Sequence, residues 1–324
     1  MSVCPAPDFA KGMSDKLEVF SGSAHPQLAA EIATRMGIQL GPLTVTRFPD
    51  GEIYVKIETS VRGKDVYVVQ PTCPPVNENF TELLIILDAL KRASARRITA
   101  VMPYYGYARQ DKKTAGREPI TARMIADMLI AGGADRALTI DLHSSQIQGF
   151  FDIPVDHLTA VGILSEHIRI HELSDAVVVA PDAGRVSMAT DYANRLGLPV
   201  VIIHKRRRSP EETEIVHVVG EVQGKQPIII DDMITTGGTI NRSVQALLDE
   251  GARPEIFVAA THAVLVGRAL EHLSHPAIKE IVVTNTIPVG DKRPPNLKEV
   301  SVAPLIASAI ERIHADTSVS EIFA

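Results

Sequence analysis

Residues 228–239 read IIIDDMITTGGT, and this stretch predicts a buried strand followed by a loop that suits an anion. Residues 228–230 form the short apolar run expected of a strand that is buried on both faces. We predict that the strand ends at Asp231 and Asp232. Open α/β sheets bind ligands where their strands end. The loop at 235–239 places two glycines between threonine hydroxyls, ahead of a predicted helix whose first amides face an anion. The acids suit ribose hydroxyls or bound magnesium, and the loop suits a 5-phosphate.

A T-G-G-T turn alone is more often a plain connection from a strand to a helix. The two acids ahead of it favour a ligand site, although they leave the reaction open. The block resembles the binding motif for phosphoribosyl diphosphate (PRPP), which is shared by transferases that consume PRPP and synthetases that make it. The rest of the chain has to separate these two functions.

Length and composition predict a soluble globular protein of two domains. The chain has 324 residues, of which 45% are hydrophobic and 22% charged, and its formal net charge of −6 argues against general nucleic-acid binding. No apolar run approaches membrane-spanning length, and residues 1–12 lack the pattern of a secretory signal. With only Cys4 and Cys73, neither a disulfide framework nor a cysteine-rich metal site is expected, which fits a reducing cytoplasm.

Strand and helix patterns alternate along the chain, which predicts an α/β protein with mainly parallel sheets flanked by helices. In the first half we predict strands at 17–20, 53–57, 65–70, 98–102 and 137–140, and helices at 26–36, 79–92 and 119–129. In the second half we predict strands at 176–180, 199–203, 227–230, 256–260 and 281–284, and helices at 186–196, 240–248 and 303–314.

These two series predict two similar domains, at 14–156 and 157–302, with the segment 303–324 a candidate to pack back on the first domain. The helix at 79–92 also carries a predicted capping box, because Asn79 and Glu82 have the spacing of a cap and its reciprocal acid.

Polar clusters follow several predicted strands, at the points where the chain leaves the sheet. Residues 103–111, PYYGYARQD, offer aromatic surface for a base and a guanidinium for phosphate. His143 and Asp182 follow later strands and suit magnesium or triphosphate oxygens, although either residue alone is more often structural. Residues 205–208 place four cations in a row, which in a net acidic chain suits a small polyanion, with a solvated charge run as the alternative.

Taken together, the motifs resemble the ribose-phosphate diphosphokinase (PRPP synthetase) family over residues 17–323. The motifs in chain order are FPDGE at 48–52, YARQD at 107–111, DLH at 141–143, PDAG at 181–184, HKRRR at 204–208 and DDMITTGGT at 231–239. The Pro-Asp-Gly sequence in the first of these predicts only a turn by itself. The combination in this order and spacing is specific.

The resemblance implies two phosphoribosyltransferase-like domains, the first binding ATP and the second ribose 5-phosphate. It implies Mg²⁺-dependent transfer of the β,γ-diphosphoryl group of ATP to the anomeric hydroxyl of ribose 5-phosphate, which gives PRPP and AMP. It also implies a homo-oligomer, typically a hexamer, with phosphate and ADP as effectors.

The resemblance further assigns site residues by position. The implied ATP-binding residues are Phe48, Asp50, Gly51, Glu52, Arg109 and Gln110. The implied metal-site residues are His143 and Asp182, and the implied catalytic residues are Lys205 and Arg207, of which Arg207 also contacts substrate. The implied ribose 5-phosphate residues are Asp231, Asp232, Thr235, Thr236, Gly237, Gly238 and Thr239.

Three positions depart from the family pattern. Thr235 stands where aspartate is usual, Arg185 where glycine is common and Pro49 where serine is common. The threonine can still donate a hydroxyl to phosphate, but it lacks a negative charge that could orient ribose or a metal. The expected effect is on substrate affinity more than on reaction type.

Two alternatives stay open at this point. A PRPP-consuming phosphoribosyltransferase explains the block at 231–239 but needs neither the first half of the chain nor the loop that carries Lys205. A non-catalytic, synthetase-like regulatory subunit is the other alternative. The intact Lys205, Arg207, His143 and Asp182 argue against that second role.

Overall fold

The polypeptide divides into two compact units. The structure is a computed structural model and describes residues 16–171, 173, 175–206, 215–291 and 293–323. The first unit comprises the described residues up to Leu158 and those from Val302 onward, and the second comprises those from Thr159 to Ser301. In the described part of the chain, no helix is both long and apolar enough to cross a membrane.

The first unit is built around a parallel sheet of five strands. Its elements before residue 159 are β1 (Leu17–Ser21), α1 (Pro26–Arg35), β2 (Leu43–Arg47), β3 (Ile53–Ile57), β4 (Asp65–Val69), α2 (Val76–Arg92), β5 (Arg97–Met102), α3 (Thr121–Gly132), β6 (Arg136–Ile140) and β7 (Val155–Leu158). The strand order is β1-β4-β5-β6-β7, and β2 and β3 form a separate antiparallel hairpin.

The second unit contains a sheet of seven strands. Its elements are α4 (Val161–Arg169), β8 (Ala176–Ala180), α5 (Val186–Leu196), β9 (Val200–Arg206), β10 (Ile215–Val219), β11 (Gln226–Ile234), α6 (Gly238–Asp249), β12 (Ile256–Ala263), α7 (Ala269–Leu273), β13 (Ile278–Thr284) and β14 (Leu297–Val300). The strand order is β10-β9-β8-β11-β12-β13-β14, and every pairing is parallel except that of β10 with β9.

The central strands follow from their composition. In β4 and β8 all five residues are buried, as apolar runs require when helices cover both faces of a parallel sheet. The helices around them are amphipathic, and α2 packs its buried leucines and isoleucine against β4 and β5. The prediction of an α/β fold with mainly parallel sheets is confirmed.

Four observed strands lay outside the sequence prediction, namely β2, β7, β10 and β14. They are only four or five residues long and carry polar residues among their apolar ones, as in LTVTR and LKEV. Patterns of this length do not separate a strand from an irregular segment. They become strands because a neighbouring strand supplies the hydrogen bonds.

The predicted capping box at Asn79 and Glu82 is wrong. α2 begins one turn earlier, at Val76, and both polar side chains are buried inside the helix rather than at its start. Asn79 Nδ2 donates to the Cys73 carbonyl at 2.8 Å, while a Glu82 carboxylate oxygen accepts from the Ser23 amide at 2.6 Å. Tertiary hydrogen bonds to two loops therefore explain these residues, and the local cap spacing was coincidental.

The predicted end of the strand at Asp231 and Asp232 is also wrong. β11 continues to Ile234, because Met233 and Ile234 keep pairing with β12. The pairing with β8 has already ended at Ile229, so the two acids lie within β11 but beyond its contact with β8. Both carboxylates are buried, Asp231 being 8% exposed and Asp232 1%.

The helix α8 (Ala303–His314) belongs to the first unit, where it packs against α1. Its C-terminal end is held by a buried charge cluster. Arg97 Nη2 lies 2.6 Å from Asp65 Oδ2 and also donates to the Ile313 carbonyl at 3.0 Å. His314 Nδ1 lies 2.9 Å from the same Asp65 oxygen, and the Asp65 side chain is only 3% exposed. A single carboxylate thus joins the start of β4 to β5 and α8.

Replacing Arg97 with alanine should lower the free energy of unfolding by about 3 kcal/mol, because it leaves the buried Asp65 carboxylate without its guanidinium partner. Urea unfolding followed by circular dichroism measures the change. Arg92→Ala is the matched control, since Arg92 pairs with Asp88 on the exposed face of α2 and should have little effect. Equal destabilisation by the two variants would contradict the role given to Asp65.

Candidate active site

The residues implied to bind ATP at 48–52 form the loop of the β2–β3 hairpin. The Phe48 amide donates to the Glu52 carbonyl and the Gly51 amide to the Phe48 carbonyl, both at 2.9 Å. Asp50 Oδ1 accepts from the Glu52 amide at 3.2 Å, which closes the turn from inside. The Phe48 ring is 49% exposed and meets the Tyr54 ring edge-on at 5.7 Å. The hairpin therefore presents an aromatic ring and two exposed acids.

The segment after β5 is fixed by close backbone contacts. The Thr72 hydroxyl accepts from the Gly106 amide at 2.6 Å, and a Cβ at Gly106 would lie only 2.5 Å from the Thr72 carbonyl oxygen. Only glycine fits there. The segment places Arg109 on the surface, while Gln110 Oε1 accepts from the Thr121 hydroxyl at 2.6 Å and so holds the first turn of α3.

Both of these segments are tied to the first turn of α2. Arg47, at the end of β2, forms an ion pair of 2.7 Å with Glu78, and the Tyr107 hydroxyl donates to the Asn77 side chain. Asn77 and Glu78 are adjacent, so one helix terminus fixes the hairpin and the segment that carries Arg109. Sequence reasoning missed this contact, because neither residue belongs to a motif.

His143 follows β6 and is half-buried. The backbone ahead of it is fixed, since Asp141 adopts a positive φ of 38° and its amide donates to the Leu158 carbonyl at 3.0 Å. The Leu142 amide donates to His157 Nε2 at 2.9 Å. The turn after β6 is therefore held by β7, which positions the histidine at the carboxyl end of the sheet in the first unit.

In the second unit, Asp182 and Arg185 lie in the turn after β8. Asp182 Oδ1 accepts from the Gly184 amide at 2.8 Å and so caps a short 3₁₀ turn. Arg185 extends to β11, where its Nε lies 3.1 Å from Asp231 Oδ1 and its Nη2 lies 3.1 Å from Asp232 Oδ1. One guanidinium thus bridges both acids of the diacid motif.

The environment of Asp231 is strongly perturbed. Burial raises the pKa of Asp231 well above its usual range, the adjacent Asp232 raises that pKa further, and the positive charge of Arg185 lowers it. Burial and the neighbouring acid therefore act on this pKa in one direction, and the guanidinium acts in the other. A perturbed acid of this kind is typical of functional sites.

The loop 235–239 leads directly into α6. The Thr235 carbonyl accepts from the Val266 amide at 2.9 Å, and the Thr236 carbonyl lies 2.6 Å from His272 Nδ1. Gly237 has a φ of 72°, and Gly238 is the first residue of α6, for which no side-chain cap is found among the described residues. The loop is fixed through its carbonyls, so the first amides of α6 can bind an anion.

The implied catalytic residues lie at the edge of the described region. Lys205 belongs to β9, where its backbone pairs with Val216 of β10, and its side chain lies outside the described part of the structure. Arg207 lies outside the described residues altogether. The positions of these two side chains stay predictions.

Comparison with known proteins identifies the family. One family model, described as the N-terminal domain of ribose phosphate pyrophosphokinase, matches residues 17–133, and another, described as a phosphoribosyl synthetase-associated domain, matches residues 209–324. A ribose-phosphate pyrophosphokinase from Gloeobacter violaceus is 52% identical over 311 residues, covering 95% of this chain and 93% of that relative. The chain belongs to the ribose-phosphate pyrophosphokinase family.

Other relatives agree with this family. A ribose-phosphate pyrophosphokinase from Bacillus subtilis is 50% identical over 308 residues, covering 95% of this chain and 97% of the relative. The crystal structure of phosphoribosylpyrophosphate synthetase from Mycobacterium smegmatis matches with a TM-score of 0.88 at 47% identity, covering 93% of this chain and 99% of that one. The predicted family and its α/β fold are confirmed, and the chain is an enzyme of the ribose-phosphate pyrophosphokinase class. Neither alternative from the sequence is favoured.

Arg185 is the contact in the diacid motif that sequence reasoning did not find. Its departure from the common glycine was visible, but its partners were not. The available signal was topological, because β8 and β11 are neighbours in the sheet and a long cation after β8 can reach acids on β11.

Arg185→Ala should lower the free energy of unfolding by about 3 kcal/mol at pH 8, because it leaves two adjacent buried carboxylates without their shared cation. Since the folded-state pKa of Asp231 exceeds its unfolded value, this group's contribution to stability falls as pH rises between the two values. Loss of Arg185 raises the folded-state pKa of Asp231 further. The loss of stability in Arg185→Ala should therefore be smaller at pH 5 than at pH 8. Urea unfolding at both pH values measures it.

Two variants control this prediction. Asp231→Asn removes the titrating group, so it should abolish the fall in stability between pH 5 and pH 8 that this carboxyl causes. Arg195→Ala removes an exposed guanidinium from the same unit and should be neutral at either pH. A defect in Arg185→Ala that is independent of pH would contradict the electrostatic role.

Proposed function

We propose that this chain transfers the β,γ-diphosphoryl group of ATP to the anomeric hydroxyl of ribose 5-phosphate, giving PRPP and AMP for nucleotide biosynthesis. The observation that carries the proposal is the buried diacid Asp231–Asp232 followed by a loop at the start of α6, in a chain about half identical to ribose-phosphate pyrophosphokinases over nearly its whole length. A transferase that consumes PRPP does not account for the first unit.

The second unit binds ribose 5-phosphate in this proposal. The amides at the start of α6 and the hydroxyls of Thr235, Thr236 and Thr239 hold the 5-phosphate, since a helix N-terminus favours an anion. The positive φ of Gly237 lets the backbone turn toward the ligand. Asp231 and Asp232 accept hydrogen bonds from the ribose hydroxyls. Arg185 supports this, because its guanidinium contacts both acids and holds them in place.

The first unit binds ATP. Phe48 stacks beside the adenine, and Asp50, Gly51 and Glu52 complete the hairpin loop. The exposed Phe48 ring supports this assignment, because an exposed aromatic ring suits a nucleobase. Arg109 binds phosphate, and Gln110 contributes through its side-chain amide, since its Oε1 already accepts from Thr121.

Mg²⁺ is the metal that the family implies, and the carboxylate of Asp182 is a donor that fits it. Mg²⁺ prefers oxygen and is commonly held by one or two carboxylates together with substrate phosphates and water. Asp182 supplies such a carboxylate, fixed by the Gly184 amide, while the nitrogen donor of His143 suits phosphate oxygens or metal-bound water. When bound, the ion would neutralise charge on the transferring phosphates.

The chain's own contribution to catalysis is positioning and positive charge. In-line attack on the β-phosphorus spreads negative charge over nonbridging oxygens and needs no covalent nucleophile on the protein. Lys205 and Arg207 provide two cations, with Arg207 also contacting substrate. β9 pairs in parallel with β8, so both strands end at the same edge of the sheet. This supports placing Lys205 near the turn after β8 that carries Asp182.

Lys205→Ala should lower turnover on the order of 100- to 1,000-fold, as removal of a transition-state donor does, with little change in stability. The assay measures AMP and PRPP from ATP, ribose 5-phosphate and magnesium with phosphate present, each substrate being omitted in turn. Lys225→Ala is the matched control, because Lys225 pairs with Asp175 at the opposite end of the second unit's sheet. Near-normal turnover in a folded Lys205→Ala enzyme would remove Lys205 from the mechanism.

A homo-oligomer, with a hexamer as the family expectation, also belongs to the proposal. It is supported by an apolar stripe at helical spacing, formed by Ile120 directly before α3 and by Met124 and Met128 within it, which are 38%, 50% and 40% exposed. The resemblance alone supports phosphate and ADP as effectors. We place the enzyme in the cytoplasm, which the buried free thiol of Cys73 supports.

Replacing Met124 and Met128 together with lysine should shift the enzyme to smaller species in light scattering at micromolar concentration, because charges would then occupy the apolar stripe. Leu270→Lys is the control, since Leu270 is an exposed apolar residue outside α3. An unchanged mass in the double variant would exclude this stripe from the interface, and a monomeric wild type would exclude the oligomer.

A further inference from the structure

Two histidines and a glutamate converge in the second unit, on residues that take no part in the proposed reaction. His167 lies in α4, His171 follows one turn later, and Glu280 lies on β13, against which α4 packs. His167 Nε2 lies 2.9 Å from Glu280 Oε1, and His171 Nε2 lies 3.1 Å from the same oxygen. One carboxylate oxygen therefore faces two imidazole nitrogens.

The contact between each nitrogen and that oxygen needs a positive centre between them, because two lone pairs repel. Without a metal, both Nε2 atoms must carry a proton and donate it to Glu280 Oε1. A single divalent cation can replace both protons. The ligand atoms of His167, His171 and Glu280 all lie within 4.8 Å of one another, which is close enough to share one ion.

The geometry is near that of a zinc site. Zinc binds imidazole nitrogen at about 2.0–2.1 Å and carboxylate oxygen at about 2.0–2.2 Å, so neighbouring donors in a tetrahedral site lie about 3.4 Å apart. The observed separations of 2.9 and 3.1 Å need only a small opening of the side chains. His167 lies in α4 and His171 lies two residues past its end, at the four-residue spacing that zinc-binding helices use.

The surroundings hold the ligands in place. The His171 ring packs on Phe257 with centroids 4.8 Å apart, and Phe257 is paired with Glu280 across β12 and β13. The His171 amide donates to the Ile168 carbonyl at 3.1 Å, which continues the turn of α4. The side chains of His167, His171 and Glu280 are 25%, 31% and 13% exposed, so an ion can enter and water can complete its coordination.

A nearby lysine does not occupy the site. Lys279 extends over the Phe257 ring at 5.5 Å and forms an ion pair with Glu255 at 3.2 Å. Its charge is therefore balanced by a different carboxylate. The donor set of two nitrogens and one oxygen favours zinc or a similar transition metal over Mg²⁺, which prefers oxygen alone.

We propose that His167, His171 and Glu280 form a binding site for Zn²⁺ or a similar transition-metal ion that joins α4 to β13. The site has three protein ligands and an open fourth position for water. Bound metal stabilises the second unit, because a ligand that binds only the folded state raises its stability. The site is separate from the residues that bind the substrates and does not depend on the proposed reaction.

The test uses the full chain, stripped of metal by a chelator and then titrated with Zn²⁺ by calorimetry in excess Mg²⁺. The excess Mg²⁺ occupies oxygen-rich sites, so it suppresses Zn²⁺ binding at the substrate centre. We expect a Zn²⁺ site at one per chain and a higher midpoint of thermal unfolding with Zn²⁺ than without it. Co²⁺ in place of Zn²⁺ should give the intense visible absorption of a four-coordinate site with nitrogen ligands.

Variants identify the ligands. His167→Gln and Glu280→Gln should each weaken Zn²⁺ binding at least tenfold and abolish the Co²⁺ absorption and the thermal shift. His275→Asn is the matched control, because His275 lies in the same unit outside the cluster and should bind Zn²⁺ like the wild type. Circular dichroism without metal shows whether each variant is folded.

Zn²⁺ affinity in folded Glu280→Gln equal to that of the wild type would overturn the proposal, as would a folded wild type that takes up no Zn²⁺. In either case the cluster is only two histidines hydrogen-bonded to one glutamate. Loss of Zn²⁺ binding with unchanged PRPP synthesis in His167→Gln supports the proposal. A wild type that makes no PRPP would contradict the proposed reaction, and Zn²⁺ binding by that wild type would still support the metal site.

Discussion

The second unit depends on the ionic contact of one guanidinium with two buried carboxylates. Two adjacent acids in the middle of a sheet are costly to bury, and Asp231 and Asp232 are nevertheless almost fully enclosed. β11 can hold them because it is paired to β12 beyond both residues, while the end of β8 leaves room for Arg185. The carboxylates are thus fixed by sheet pairing and not by a loop. This gives a preformed pair of carboxylates, at the expense of stability.

The first unit uses a different device, in which the start of one helix organises several loops. The first turn of α2 contacts the hairpin through Glu78 and the segment after β5 through Asn77. Directly after these two residues, the buried side chains of Asn79 and Glu82 bind the segments at Cys73 and Ser23. Elements that are far apart in sequence therefore depend on fewer than ten residues of α2. A change in the orientation of this helix terminus would move all of these loops together.

Sequence patterns predicted the bounds of those elements whose apolar residues recur regularly. The strand 176–180 and the helices 186–196 and 303–314 match the observed bounds, because their apolar positions follow a single period. Prediction failed where tertiary contacts override local pattern. The capping box at Asn79 was one such case, and the extension of β11 past Asp231 was another. For the candidate site, motifs located the diacid and the loop before α6, but the partner Arg185 required the order of strands in the sheet.

The position of α8 has a consequence for how the chain acquires its structure during synthesis. Domains generally fold as they emerge from the ribosome, beginning with the N-terminal one. Here the first unit requires residues from both sides of the second, because α8 covers α1 and His314 reaches Asp65. Until translation has passed through the whole second unit, the nascent first unit therefore lacks α8. The face of α1 that α8 covers is then exposed, and Asp65 lacks its contact with His314. During that interval chaperones have an apolar surface to bind, and the N-terminal unit becomes complete only after translation of its C-terminal helix.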